Sequence, residues 1–454
     1  MRGLLSLSIR KDRLFPWALL VLGALLLPPL VLSPKLGIAV VAAALIVWSA
    51  SRSIAWPLGL AGFAAPVIAL VGHDPFPRKS APLILFAWLC AAVVFELGRG
   101  KAGTTLRAAL SSPLFVSSGA LLALLLARLP ASSDPAYGNF KVELFVLGGL
   151  TFLVAGVLLG RRPQDFELFL VLSLLIDALS GLLVLRQLGT PALASDRFGL
   201  PGQNVISLGI QGGEGLMIAV YLLLTTKRPR YQMLAAALLP VSAIALVASG
   251  SRGPVLGGLL GLVALLVLLA RSRTSAVRVA AVCASLAVAW VAVSLAVPSG
   301  ATHRSLSILS GSKSGVSANG RDQLWTAAWH TFAAHPAFGI GTGSFATADR
   351  VEVCPGPGCL DRYPHNVVLE AAAELGLPGA LAILAVIAAG ALALRRARRA
   401  ATGPARAQAA VVIALFVAAL TTAMLTGDLS GDGDVWLAAG IGLGLALSQR
   451  RASS

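Results

Sequence analysis

Three side chains able to handle a phosphate and a proton stand in polar stretches of a largely apolar chain. They are Arg252 in Ala248-Ser249-Gly250-Ser251-Arg252-Gly253, Arg321 in Asn319-Gly320-Arg321-Asp322, and His365 in Tyr363-Pro364-His365-Asn366. A guanidinium is a planar, permanently charged fork that grips phosphate through paired hydrogen bonds. Two of them converging on a diphosphate would stabilise the charge that builds on a leaving group. Imidazole titrates near neutral pH and can take a proton from an attacking hydroxyl, or simply orient it. Each residue also has an ordinary reading: Arg252 as a headgroup anchor, Arg321 as the partner of Asp322, and His365 as a structural loop residue. Arg252 lies at the edge of an apolar run, where placing Arg in hydrocarbon costs about 2.5–3.5 kcal/mol, so a partner is expected for it.

The surroundings of these residues are also informative. Pro364 sets an extended approach, and Asn366 or His365 itself can cap the apolar helix that follows, which carries Glu370 and Glu374. Gly339, Gly341 and Gly343 could present successive backbone N–H groups to an anion, or could form a flexible turn that lets Phe345 dock. No strand is predicted before them, which argues against a dinucleotide fingerprint. Trp325, Trp329 and Phe332 fall at helical spacing and can seat a short helix after Arg321 against a membrane surface. Arg197, in Asp196-Arg197-Phe198-Gly199, precedes another apolar run. Asp177 and Glu214 lie within such runs, where an acid is a functional candidate by default. Asp428, Asp432 and Asp434 cluster like a divalent-cation loop but lack full calcium-site spacing, so a solvated turn and no obligatory metal are expected. Cys354 and Cys359 bracket a tight turn and would close a disulfide in an oxidising compartment. His330 and His335 read as structural, and Cys90 and Cys283 as small core residues.

The elements that must position these residues are membrane helices. The chain is 57% hydrophobic and 12% charged, far outside the range of soluble domains. Its formal charge of +17 sits in short clusters between apolar runs, as membrane topology requires, so nucleic acid is not expected as a partner. The five His and four Cys are too scattered for a zinc framework. Candidate spans are Leu14–Leu32, Leu36–Ala50, Ile54–Val71, Ala81–Leu97, Pro113–Leu129, Val142–Leu159, Phe166–Leu185, Val205–Leu224, Met233–Ala248, Pro254–Ala270, Val279–Val297, Val367–Leu394, Ala409–Thr426 and Val435–Leu447. The expected fold is thus an all-α polytopic transmembrane bundle of about 12–14 spans. Residues 1–297 would form helices 1–11, 298–365 one long extracytoplasmic loop, and 366–454 helices 12–14. The first run reads as a retained signal anchor. Lys and Arg collect in alternate loops, which predicts cytoplasmic termini and puts Arg197, Arg252, Arg321 and His365 on the outer side. A secondary transporter or lipid flippase would also use many spans with buried ionisable groups. The chain shows no clear internal repeat, and its dense motif falls in a loop, which disfavours that class.

The order of the pieces resembles the O-antigen ligase and polymerase family of polytopic bacterial membrane glycosyltransferases. The matching pieces are Arg321 before Trp325, His335-Pro336, Gly339-Ile340-Gly341-Thr342-Gly343-Ser344-Phe345, and His365-Asn366 opening a helix that runs to Glu374-Leu375-Gly376-Leu377-Pro378-Gly379. Ser249-Gly250-Ser251-Arg252-Gly253 matches upstream. Together they fall in the second half of the chain. The resemblance implies an inverting, metal-independent and cofactor-free transfer of a glycan from an undecaprenyl-pyrophosphate carrier at the periplasmic face of the bacterial inner membrane. Acceptors in the family are lipid A–core for a ligase and a growing glycan for a polymerase. On this pattern Arg252 and Arg321 hold the pyrophosphate and His365 assists the acceptor. Arg197, Asn366, Gly341, Gly343 and Glu370 are the expected further substrate contacts. Around Arg197 the family often has Asn-Pro where this chain has Asn204-Val205, so the match is poor there. Ligation is favoured because the outer loop is compact and no large soluble domain is appended.

Overall fold

The computed structural model describes residues 34–71, 80–99, 101–187, 198–200, 203–270, 321–348 and 363–453. Arg197, Cys354, Cys359 and the expected spans Leu14–Leu32 and Val279–Val297 lie outside them. The fold is an all-α polytopic bundle, with no strand among the described residues. In chain order the helices are α1 (Pro34–Arg52), α2 (Ala55–Gly59), α3 (Ala64–Val71), α4 (Ser80–Gly98), α5 (Lys101–Leu110), α6 (Pro113–Arg128) and α7 (Pro135–Leu144). A π-turn, Phe145–Leu150, joins α7 to α8 (Thr151–Gly160) as one continuous span. There follow α9 (Pro163–Arg186), α10 (Val205–Thr225), α11 (Pro229–Ala248), α12 (Arg252–Leu269), α13 (Arg321–Ala334), α14 (Phe345–Ala348), α15 (Val367–Ala400), α16 (Gly403–Leu425) and α17 (Gly433–Ser453).

Helix starts follow local chemistry. Ser112, Asp134, Asn204 and Asn366 each accept a hydrogen bond from a first-turn N–H. Proline opens α6, α7, α9 and α11, where its missing N–H costs nothing.

Among the described residues eight helices are long and apolar enough to cross a membrane, or nine if the bent pair α4 and α5 forms one span. The expected spans Leu14–Leu32 and Val279–Val297 fall outside the described residues and are not in this count; two others differ from expectation within them. The expected span Ile54–Val71 breaks at the 3-10 turn Ala61–Phe63. The Val435–Leu447 run forms α17, whose ends bring in Asp434, Gln449 and Arg450.

Without a hydrophobic drive between helices in lipid, close packing depends on small residues. A Cβ on Gly156 or Gly160 of α8 would stand 2.6 or 2.3 Å from a carbonyl oxygen of α17. On α12, Gly257 and Gly261 press in the same way on the Ala418 and Ala414 carbonyls of α16. That second contact sets Arg252, at the head of α12, beside the tail of α16.

Candidate active site

His365 is held at a junction of helix ends. Asn366 caps α15 by accepting from the N–H groups of Val368 (3.1 Å) and Leu369 (3.0 Å). Its amide also donates to the Met424 carbonyl at 3.2 Å. His365 itself adopts φ +57°, a left-handed conformation uncommon for a residue with a Cβ. Two contacts hold it there: the Tyr363 ring stands edge-on at 4.6 Å between centroids, and Nδ1 lies 3.2 Å from the Thr426 carbonyl oxygen. A carbonyl can only accept, so Nδ1 carries the hydrogen in this contact, and in the neutral ring the lone pair is then on Nε2.

Thr426 caps the C-terminus of α16, its N–H donating to the Thr422 carbonyl at 2.7 Å. Gly253 packs directly on it, since a Cβ at Gly253 would stand 2.5 Å from the Thr426 Cγ2. Thr426 thus touches His365 through its carbonyl and the neighbour of Arg252 through its methyl. The half-buried Arg252 and His365 are brought to one corner from 113 residues apart in sequence. Phe198, next to Arg197, is buried and donates its N–H to the Ala248 carbonyl at 3.2 Å, just before this corner.

Arg321 opens α13. One turn on, Leu324 and then Ala328 pack with Phe345 and with Ala373 of α15, and Leu369 flanks them. The face α13 buries is Leu324, Ala328 and Thr331; Trp325 and Phe332 are half-buried and Trp329 is 56% exposed. The aromatic row thus lies off the face that meets α15, which is made by Leu324 and Ala328. The exit of α13 docks on a kink in α15: Gly376 has φ +71° and ψ −159°, and the Leu377 N–H it frees donates to the Pro336 carbonyl at 2.8 Å. His330 and His335 are exposed on this segment.

The glycine-rich turn binds an anion, but one belonging to the chain. Gly343 donates to Glu374 Oε2 at 2.9 Å and Phe345 to Oε1 at 3.4 Å, while Gly341 donates to the Glu374 backbone carbonyl at 2.9 Å. Both glycines are buried at positive φ. Their expected role as a phosphate cradle is corrected here, because Glu374 already uses their N–H groups.

Glu370 is corrected likewise. It is fully buried, pairs with Lys141 and accepts the Leu429 N–H at 2.8 Å, so it binds the fold and not a ligand from outside. Lys141, 1% exposed, also donates to both Glu374 oxygens at 2.7 Å. Sequence reasoning missed Lys141 by starting its span at Val142. The available signal was Asp134-Pro135, a cap followed by proline, which starts the helix seven residues earlier.

The acidic turn is less solvated than expected. Asp428 folds back on the Ser430 N–H and hydroxyl, both at 2.8 Å. Asp432 and Asp434 join Glu214, Thr422, Pro254 and Met217 around one small pocket. Burial, then the charges of Asp428, Asp434 and Glu370, push the Asp432 carboxyl well above the usual carboxylate range. Asp177 is buried beside Gly215 of α10. Among the described residues no group of three His, Cys, Asp or Glu is arranged to hold a metal ion.

Fold and site together describe a multi-pass membrane protein in which His365 and the neighbour of Arg252 meet at Thr426, where helices end. Residues 235–384 match the family model described as O-antigen ligase. The matched stretch runs from α11 to α15 and contains Arg252, Arg321 and His365, and it makes the chain similar to membrane glycosyltransferases of the O-antigen ligase kind. A search of curated proteins returns no match.

Proposed function

We propose that the protein transfers a glycan from undecaprenyl-pyrophosphate to a sugar hydroxyl of lipid A–core at the periplasmic face of the bacterial inner membrane. The observation that carries this reading is the Thr426 junction, where the His365 tautomer is set and Gly253 seats Arg252 alongside. The acceptor hydroxyl attacks the anomeric carbon of the donor, and its proton passes to Nε2 of His365. The bond from that carbon to the diphosphate oxygen breaks with inversion, and the lipid diphosphate leaves with the electron pair. Arg252 and Arg321 stabilise the charge that gathers on it, and Arg197 is a candidate for the same group. Neither a metal nor a cofactor is assigned to a step. Alternation of Lys and Arg between loops supports cytoplasmic termini and a periplasmic loop at 298–365.

The test is complementation of a ligase-deficient strain. Arg252→Ala, Arg321→Ala and His365→Ala should each reach the membrane at normal level and leave lipid A–core uncapped, with long glycans retained on the lipid carrier. Accumulation of single repeat units would instead mark a polymerase, and capping at the normal level by His365→Ala would reject the proposed centre.

A further inference from the structure

One buried ammonium stands between the two halves of the site. Lys141 of α7 faces two carboxylates one turn apart on α15, Glu370 and Glu374, and all three side chains are 0–1% exposed. Each carboxylate also holds a different loop. Glu374 takes the N–H groups of Gly343 and Phe345. Phe345 packs with Leu324 and Ala328 of α13, and Arg321 lies one turn before Leu324. Glu370 takes the Leu429 N–H. Three residues earlier is Thr426, which meets His365 and Gly253, and Asp428 stiffens the short link between by accepting from Ser430. The helix bearing Lys141 touches the first arm again, since a Cβ at Gly343 would stand 2.7 Å from the Gly138 nitrogen.

We infer that Lys141 is a positioning residue: with Glu370 and Glu374 it forms a buried clamp that sets the Arg321 arm against the Arg252–His365 arm. Its catalytic consequence rests on the transferase reading, whereas the clamp itself does not. Two carboxylates left alone in this dry site would repel each other, and the loops they hold would be released together. Misplacement of reacting groups by about 1 Å is enough to slow a positioned reaction by about 100-fold.

The experiment measures hydrogen exchange in segments 341–345 and 427–431, with the full chain in lipid nanodiscs. Glu374→Met should speed exchange in the first segment alone, Glu370→Met in the second alone, and Lys141→Met in both, by about 10-fold or more. In the same preparations, Lys141→Met should lower the transfer rate by at least about 10-fold and change KM for the lipid-linked donor by less than about threefold. Exchange unchanged in either segment on Lys141→Met, or transfer at the wild-type rate, would overturn the inference. If Lys141→Met does not insert, Lys141→Met/Glu370→Gln/Glu374→Gln leaves no buried charge to expel. Slow transfer by that variant supports the clamp, and the wild-type rate overturns it. A wild-type protein that transfers no glycan would sink the transferase reading alone, because the exchange pattern still decides the clamp.

Discussion

The two ends of a single span, Pro135–Gly160, solve opposite electrostatic problems. Just past its C-terminus, Arg161 and Arg162 converge with Arg99 on one carboxylate, Glu96, which is 1% exposed. Two of the three guanidiniums, those of Arg99 and Arg162, remain about a third exposed at 33% and 34%, so water shares the surplus positive charge. Near the N-terminus the ratio is reversed and water is excluded: one ammonium, Lys141, serves two carboxylates. The first end fastens α4 to the α8–α9 corner and tolerates loss of a partner. The second has no solvent to fall back on, and it fixes the loops that carry the reacting groups. Charge count alone would rank the Glu96 cluster higher; burial and the attached loops give the Lys141 cluster the functional weight.

This contrast can be broken by substitution. The largest effect is expected from Lys141→Met, which strands two buried carboxylates and should cost about 3–5 kcal/mol in thermal or denaturant unfolding. A loss no greater than that of Glu96→Gln would erase the distinction between the ends. Next is Gly253→Ala, whose methyl would collide with Thr426 and push Arg252 and His365 apart. Transfer should fall by about 10-fold with the membrane level unchanged. Glu96→Gln should cost about 1 kcal/mol and leave transfer near normal, because two of its three partners, Arg99 and Arg162, are screened by water; a large loss of activity would tie that end to the site.

The smallest effect concerns pH. Burial raises the Asp432 carboxyl above its unfolded value, so its contribution to stability is greatest under acid conditions. That contribution is lost as pH rises from the ordinary carboxylate range, about 4, towards the raised value. Asp432→Asn should therefore lose less stability than the wild type over that rise, read as melting temperature against pH. Parallel curves would contradict the assignment.

Much of this architecture was legible in the residues. Apolar runs separated by polar breaks located most of the helices. The clustering of Gly, His and Arg marked the candidate site, because those signals are local. What was not legible depends on partners distant in sequence. The glycine turn correctly signalled an anion, but nothing nearby shows that the anion is Glu374, 31 residues away. Lys141 fell outside the expected span because hydropathy rises only at Val142, whereas the Asp134 cap begins the helix earlier and carries Lys141 inside. Trp325 and Trp329 mark the face of α13 turned away from α15, whereas the face that meets α15, through Leu324 and Ala328, carried no comparable signal. Within the expected span Ile54–Val71 a 3-10 turn interrupts the apolar run, a break that hydropathy does not register.

The most direct test of the central claim is single-turnover transfer by purified His365→Ala in nanodiscs, with a lipid-linked glycan donor and lipid A–core acceptor. The account predicts a rate lower by at least about 100-fold, with donor binding retained through the arginines. Transfer at the wild-type rate would contradict it.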